Sequence, residues 1–213
     1  MIFELRQYTL VPGRRDVLVD LFDRVLVAGQ EATGMRIVGQ FRDEDRPDRF
    51  VWVRGFPDMA ERHRSLCAFY GGPVWRAHRD AANATMVDSD DVLLLRPAGG
   101  GEPFPPVPSV ASARVTAGLC LLDAPVTDAL VERFESAVAP ALEAAGGTVL
   151  ARLTTAYEAN TFPALPVREG VHAFVWFARY VDPAAHVPGL GSALLGVPVQ
   201  ELVLAPTPAS RLH

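Results

Sequence analysis

A repeated pattern constrains this chain more than any single motif. Phe50-Val51-Trp52-Val53-Arg54-Gly55-Phe56-Pro57-Asp58 returns as Phe174-Val175-Trp176-Phe177-Ala178-Arg179-Tyr180-Val181-Asp182. Upstream, Asp16-Val17-Leu18-Val19-Asp20-Leu21-Phe22 returns as Asp128-Ala129-Leu130-Val131-Glu132-Arg133-Phe134. The closing strands also correspond, Leu93-Leu94-Leu95-Arg96-Pro97 with Leu202-Val203-Leu204-Ala205-Pro206. Three matches in one order imply two copies of a βαββαβ unit, and a repeat of this kind decides the architecture before any local propensity does.

The hydrophobic and polar periodicities fill in each copy. Residues 2–10 alternate and are rich in Phe, Leu and Tyr, as a strand requires, and Pro12-Gly13 breaks it. Val17, Leu18, Leu21, Phe22, Val25 and Leu26 recur at helical spacing up to Gly34, a helix stop. Strands follow at 35–42 and 50–56. A second helix starts near Asp58, breaks at Gly71-Gly72-Pro73 and resumes to about Ala84, and Val92–Arg96 forms the last strand. Three glycines and then four prolines within 99–108 mark a connector. The boundaries are therefore 1–98 for the first unit, 99–111 for the linker and 112–213 for a diverged second unit. In the second copy the loop at about 158–170 is lengthened, and the second helix shrinks to a Gly- and Pro-rich remnant near 184–196.

Such a unit covers only one face of its sheet. A bare apolar sheet face of several hundred Å² is not tolerated in water, so the two copies are expected to pack sheet to sheet as an internal pseudo-dimer. Higher oligomers through edge strands stay open.

Composition excludes several functions. The net charge of −5 argues against a nucleic-acid partner. All 20 basic residues are arginine, so a Schiff-base lysine and conventional pyridoxal phosphate chemistry are ruled out. No run of about 18 apolar residues exists to span a membrane. The N-terminus shows no secretion signal, and a cytoplasmic location is expected. Cys67 and Cys120 show no zinc or disulfide spacing and are expected to be two buried structural thiols. His63, His78, His172 and His186 lack partners at metal spacing, so no metal is expected. Asp88, Asp90 and Asp91 suit a solvated turn better than a cation site.

The segments Glu4-Leu5-Arg6-Gln7-Tyr8-Thr9-Leu10-Val11-Pro12-Gly13, Gly39-Gln40-Phe41-Arg42, Val51-Trp52, Phe69-Tyr70-Gly71-Gly72-Pro73-Val74-Trp75 and the ending from Asp88 to Pro97 resemble the NIPSNAP family. The resemblance covers nearly all of residues 1–98. It implies an α+β fold of the dimeric α/β-barrel (ferredoxin-like) superfamily. Its relatives include cofactor-independent monooxygenases, polyketide cyclases, lactone isomerases and some haem enzymes.

Strand alternation puts Glu4, Arg6 and Tyr8 on one face and Phe50, Trp52, Arg54 and Phe56 on one face. The expectation is that both faces point into the barrel, with Val51, Val53 and Gly55 turned towards the helices. Glu4, Arg6, Tyr8 and Arg54 are then the candidate catalytic residues. Trp52, Phe56, Trp75, His78, Cys120, Trp176 and Tyr180 are the candidate substrate contacts. By the repeat, Glu4, Arg6, Tyr8 and Arg54 correspond to Thr116, Gly118, Cys120 and Ala178, so the second copy is expected to supply room opposite the first. The leading reading is an enzyme without a bound cofactor. It would act on a small apolar or aromatic metabolite by oxygenation, cyclisation or isomerisation, with an arginine on the developing oxyanion and Glu4 as base. The alternatives are a non-catalytic ligand- or protein-binding scaffold, or a haem enzyme.

Overall fold

The computed structural model describes residues 1–212. The first half runs β1 (Ile2–Leu10), α1 (Arg15–Leu21), a widened π turn (Phe22–Leu26), α2 (Val27–Glu31), β2 (Arg36–Asp43), β3 (Arg49–Phe56), α3 (Met59–Tyr70), α4 (Pro73–Asn83) and β4 (Met86–Pro97). The second runs β5 (Arg114–Leu122), α5 (Asp128–Arg133), a π turn (Phe134–Val138), α6 (Ala139–Ala144), β6 (Gly147–Thr155), β7 (His172–Tyr180), a short 3-10 turn (Pro183–Ala185), α7 (Leu190–Leu195) and β8 (Gln200–Pro206). Phe22 and Phe134, aligned by the repeat, each open the π turn of their half.

Local chemistry sets the element ends. Asp58 accepts a hydrogen bond from Glu61 N at 2.8 Å and caps α3. Pro73 occupies the first turn of α4, where its missing N–H costs nothing. Gly34, at φ 94°, ends the first helix in a conformation other residues resist.

The eight strands close into one antiparallel barrel in the order β1-β3-β2-β8-β5-β7-β6-β4. Each half contributes four strands, joined at β2–β8 through Phe41↔Pro206 and at β4–β6 through Leu95↔Thr155. The fold is thus two ferredoxin-like units forming an α/β-barrel within one chain.

The barrel interior is a single apolar cluster drawn from all eight strands. It includes Phe3, Leu5, Val51, Val53, Leu93, Leu95, Val115, Leu153, Val175, Phe177 and Leu204. The linker also enters it, which its composition did not indicate. Phe104 is buried and packs edge-on against Phe3 at 5.4 Å and Phe177 at 5.1 Å. Its φ of 56° is a left-handed conformation sustained by this packing, by its N–H donating to Leu150 O and by its carbonyl accepting from Arg36 Nη2.

Candidate functional site

The interior composition corrects the expected facing of the strands. Glu4, Arg6, Tyr8, Trp52, Arg54 and Phe56 do not point into the barrel. They lie on its outer face, under the helices of the first half, where Tyr8, Trp52 and Phe56 pack with Leu18, Phe22, Leu26, Leu66 and Phe69. The physical reason is volume. Eight strands enclose a bore that ordinary side chains just fill, and Phe3, Leu5, Val51 and Val53 already fill it. Gly55 belongs to that side too, since a Cβ there would meet the Phe3 ring at 2.9 Å.

The second half does not supply room opposite the first. Gly118 pairs with Trp176 as Arg6 pairs with Trp52. The Trp176 ring lies flat over Gly118 and Gly191, so close that a Cβ would meet it at 2.1 Å and 2.5 Å. Cys120, Trp176 and Tyr180 belong to this separate helix–sheet layer, and burial pushes the Cys120 thiol up to about 11. Cys120, Trp176 and Tyr180 are therefore not gathered with Arg6. In the second half an indole fills the volume that guanidinium groups occupy in the first.

In the first half, Glu4, Arg6, Arg54 and Arg62 are all fully buried. Glu4 Oε2 accepts from Arg6 Nη1 at 2.7 Å and Arg54 Nε at 2.8 Å, and Glu4 Oε1 accepts from Arg62 Nε at 2.7 Å. Arg6 Nε donates to Tyr8 Oη at 3.0 Å, and Arg6 Nη2 donates to Ser89 O at 3.5 Å. Arg54 Nη1 donates to Gln30 Oε1 at 3.0 Å. Aromatic faces take up the remaining guanidinium surface: Arg6 stands 5.6 Å from the Trp52 ring, and Arg54 stands 5.0 Å from Trp52 and 5.6 Å from Phe56.

Two consequences follow. Burial alone would raise the Glu4 pKa, but Arg54, Arg6 and Arg62 together outweigh it and hold the carboxyl well below the usual range. Glu4 is thereby held as the ionised anchor of three guanidinium groups. The cluster also carries three positive charges against one negative. Arg62 Nη2 and Trp52 Nε1 are buried donors without hydrogen-bond partners among the described residues. So is the amide of Gln40, the cross-strand neighbour of Trp52. Buried donors in folded proteins are normally satisfied.

Sequence reasoning missed Arg62, Gln30 and the roof. Arg62, Leu66 and Phe69 share the buried stripe of α3, so an arginine in an apolar register was the available signal. The roof is the lengthened 158–170 loop of the second half. Arg62 Nη1 donates to Asn160 Oδ1 at 3.0 Å, and Phe162 stacks on Tyr70 at 5.7 Å. Trp75 packs edge-on to Tyr70 at 5.0 Å and completes a half-buried aromatic wall. Tyr70 is close enough to perturb both Arg6 and Tyr8. His78 is half-buried on α4 and takes no part in this network. A cavity of about 380 Å³ under the 155–170 segment reaches Leu94, which is paired with Glu4 and lies on the same outer face.

Residues 3–99 match the sequence profile of the NIPSNAP family. Residues 3–99 are a NIPSNAP domain. The Glu4 cluster lies wholly within this NIPSNAP domain, and the loop that roofs it comes from outside. An uncharacterised NIPSNAP-like domain protein from Burkholderia xenovorans is 25% identical, over 51% of this chain and 94% of that one, with TM-score 0.45. Two structures of proposed monooxygenases match nearly the whole barrel. The one from Fusobacterium nucleatum has TM-score 0.58 at 6% identity, covering 97% of this chain and 92% of that one. The one from Lactobacillus acidophilus NCFM has TM-score 0.55 at 12% identity, covering 97% and 93%. At such identities they share the fold with the NIPSNAP domain and its partner half, and nothing finer. No curated protein matches the chain. Among the described residues, no group of His, Cys, Asp or Glu is placed to hold a metal ion, and no helix is long and apolar enough to cross a membrane.

Proposed function

We propose that the NIPSNAP domain binds a small aromatic or apolar metabolite bearing an anionic oxygen, in the layer between its sheet and helices. The observation that supports this most is the buried surplus of guanidinium charge beside an aromatic wall, with N–H donors still unpartnered. Tyr8 Oη already accepts from Arg6 Nε, so its own O–H is free to donate to a ligand oxygen. Arg6 Nη2, whose bond to Ser89 O is long, is the second donor. A phenol or enol placed there ionises more readily than in water, because the neighbouring positive charge favours its anion. The chemistry that suits this is oxygenation, cyclisation or isomerisation of an enolisable carbonyl or phenol, with the arginine holding the oxyanion. Entry runs under the 158–170 loop.

The test is a titration with nitrophenols and their methyl ethers, followed by the nitrophenolate absorbance and by thermal shift. The phenol should bind at least tenfold more tightly than its ether, and its pKa should fall by a unit or more on binding. Arg6→Met should abolish both effects while leaving the fold intact. Equal binding of phenol and ether, or an unchanged Arg6→Met protein, refutes the proposal.

A further inference from the structure

Cys67 was expected to be buried; it is exposed. It follows Leu66 on α3 and is therefore turned about 100° away from the Arg62–Leu66–Phe69 stripe. One helical turn back lies His63, whose Nε2 stands 3.6 Å from Cys67 Sγ. The other ring nitrogen, Nδ1, is 2.6 Å from Thr161 O. A carbonyl oxygen can only accept, so Nδ1 carries the proton and the neutral ring presents its Nε2 lone pair to the thiol. The arrangement comprises a nucleophile, a base within reach of it, and a third group that fixes the tautomer of the base. Phe162 borders it at 6.4 Å from the His63 ring, so the base is held from both sides by the roof of the neighbouring site.

We propose that Cys67 is a base-assisted nucleophile, with His63 its proton acceptor, and that it takes small disulfides. The Cys67 S–H proton passes to His63 Nε2 and the thiolate attacks one sulfur of the disulfide. The new Sγ–S bond forms as the reagent's S–S bond breaks, and the departing thiolate recovers the proton from His63. The mixed disulfide sits beside His63, whose ring holds Thr161 O of the 158–170 loop. Cys120 provides an internal control, because it is buried in the other half.

The experiment uses 4,4′-dithiodipyridine on the full chain and follows thiopyridone release from pH 5.5 to 8.5. One thiol should react rapidly and the second only in denaturant. An unassisted thiol slows about tenfold for each pH unit below its pKa near 8.5. Cys67 should instead slow by clearly less than tenfold per unit over this range. His63→Gln should restore the tenfold slope and slow the reaction at pH 6.5 by tenfold or more, with Cys120 still protected as proof of folding. Cys67→Ser should remove the rapid phase. A wild-type rate on the ordinary slope, a His63→Gln rate within threefold of wild type, or a rapid phase surviving Cys67→Ser overturns the proposal.

Discussion

Replacing Glu4 by Gln should damage this protein far more than removing any one of its arginine partners. Glu4 receives contacts of 2.7–2.8 Å from Arg6, Arg54 and Arg62, and among the described residues no other carboxylate pairs with these three groups. Removing one partner of a buried ion pair costs about 3–5 kcal/mol, because the other charge is left without compensation. In Glu4→Gln three guanidinium groups are left so, placing the loss at or above the top of that range. Arg62→Met forfeits charged hydrogen bonds worth about 1.5–3 kcal/mol and relieves one surplus charge, which offsets part of the loss. In a chain of this size about 1 kcal/mol shifts the melting temperature by roughly 2–4 °C, so Glu4→Gln should lower it by about 10 °C or more and Arg62→Met by only a few degrees. Urea unfolding followed by tryptophan fluorescence measures both, and the double variant Glu4→Gln/Arg62→Met should lose less than the sum of the singles. An Arg62→Met protein as unstable as Glu4→Gln, or an additive double variant, would refute the reading of a buried cationic surplus.

The same carboxylate sets an acid dependence. Its folded pKa lies below the unfolded value near 4.5, so its contribution is complete above that pH and declines as pH falls towards the folded value. The stability gap between wild type and Glu4→Gln should therefore narrow by about 1.4 kcal/mol for each pH unit below 4.5, a trend urea curves at pH 5 and pH 3 will show or deny. Phe104→Ala should cost about 3–5 kcal/mol through the cavity left in the barrel; a loss below about 1 kcal/mol would mean that the linker merely rests on the core. Gly118→Leu should destabilise strongly, because Trp176 has nowhere to go, and a melting temperature within two or so degrees of wild type, about 1 kcal/mol, would contradict the packing described for the second half. Replacing Asn160 and Thr161 by alanine should weaken nitrophenol binding and cost about 1.5–3 kcal/mol of stability, since Arg62 Nη1 loses both acceptors; unchanged affinity would separate the loop from the site.

The repeat made the architecture legible. It set Trp52 against Trp176 and Arg6 against Gly118, and in the structure Arg6 pairs with Trp52 and Gly118 with Trp176. Alternation also sorted Glu4, Arg6 and Tyr8 onto one face and Val51 and Val53 onto another. It could not say which face looks inward, because strands buried on both sides lose the contrast between polar and apolar that marks solvent. The deciding quantity was the width of the bore, which admits Val51, Val53 and Phe3 but leaves no place for a cluster of guanidinium groups. The partners of Glu4 from α3 and the roof were harder to foresee. Arg62 announces itself only by standing in an apolar stripe, and the 158–170 loop only by its length. His63 and Cys67 carried a signal in their spacing of four, which places both side chains on one side of a helix.

The place where a ligand binds decides whether the arginine cluster is a site. A crystal structure of the protein with a bound nitrophenol measures this directly. The phenolate oxygen should lie within hydrogen-bonding distance of Arg6 Nη2 and Tyr8 Oη, between the first-half sheet and α3, with the ring against Tyr70 and Phe162. Density for the ligand inside the barrel, among Phe3, Val53 and Phe177, or in the second half beside Trp176, would contradict it.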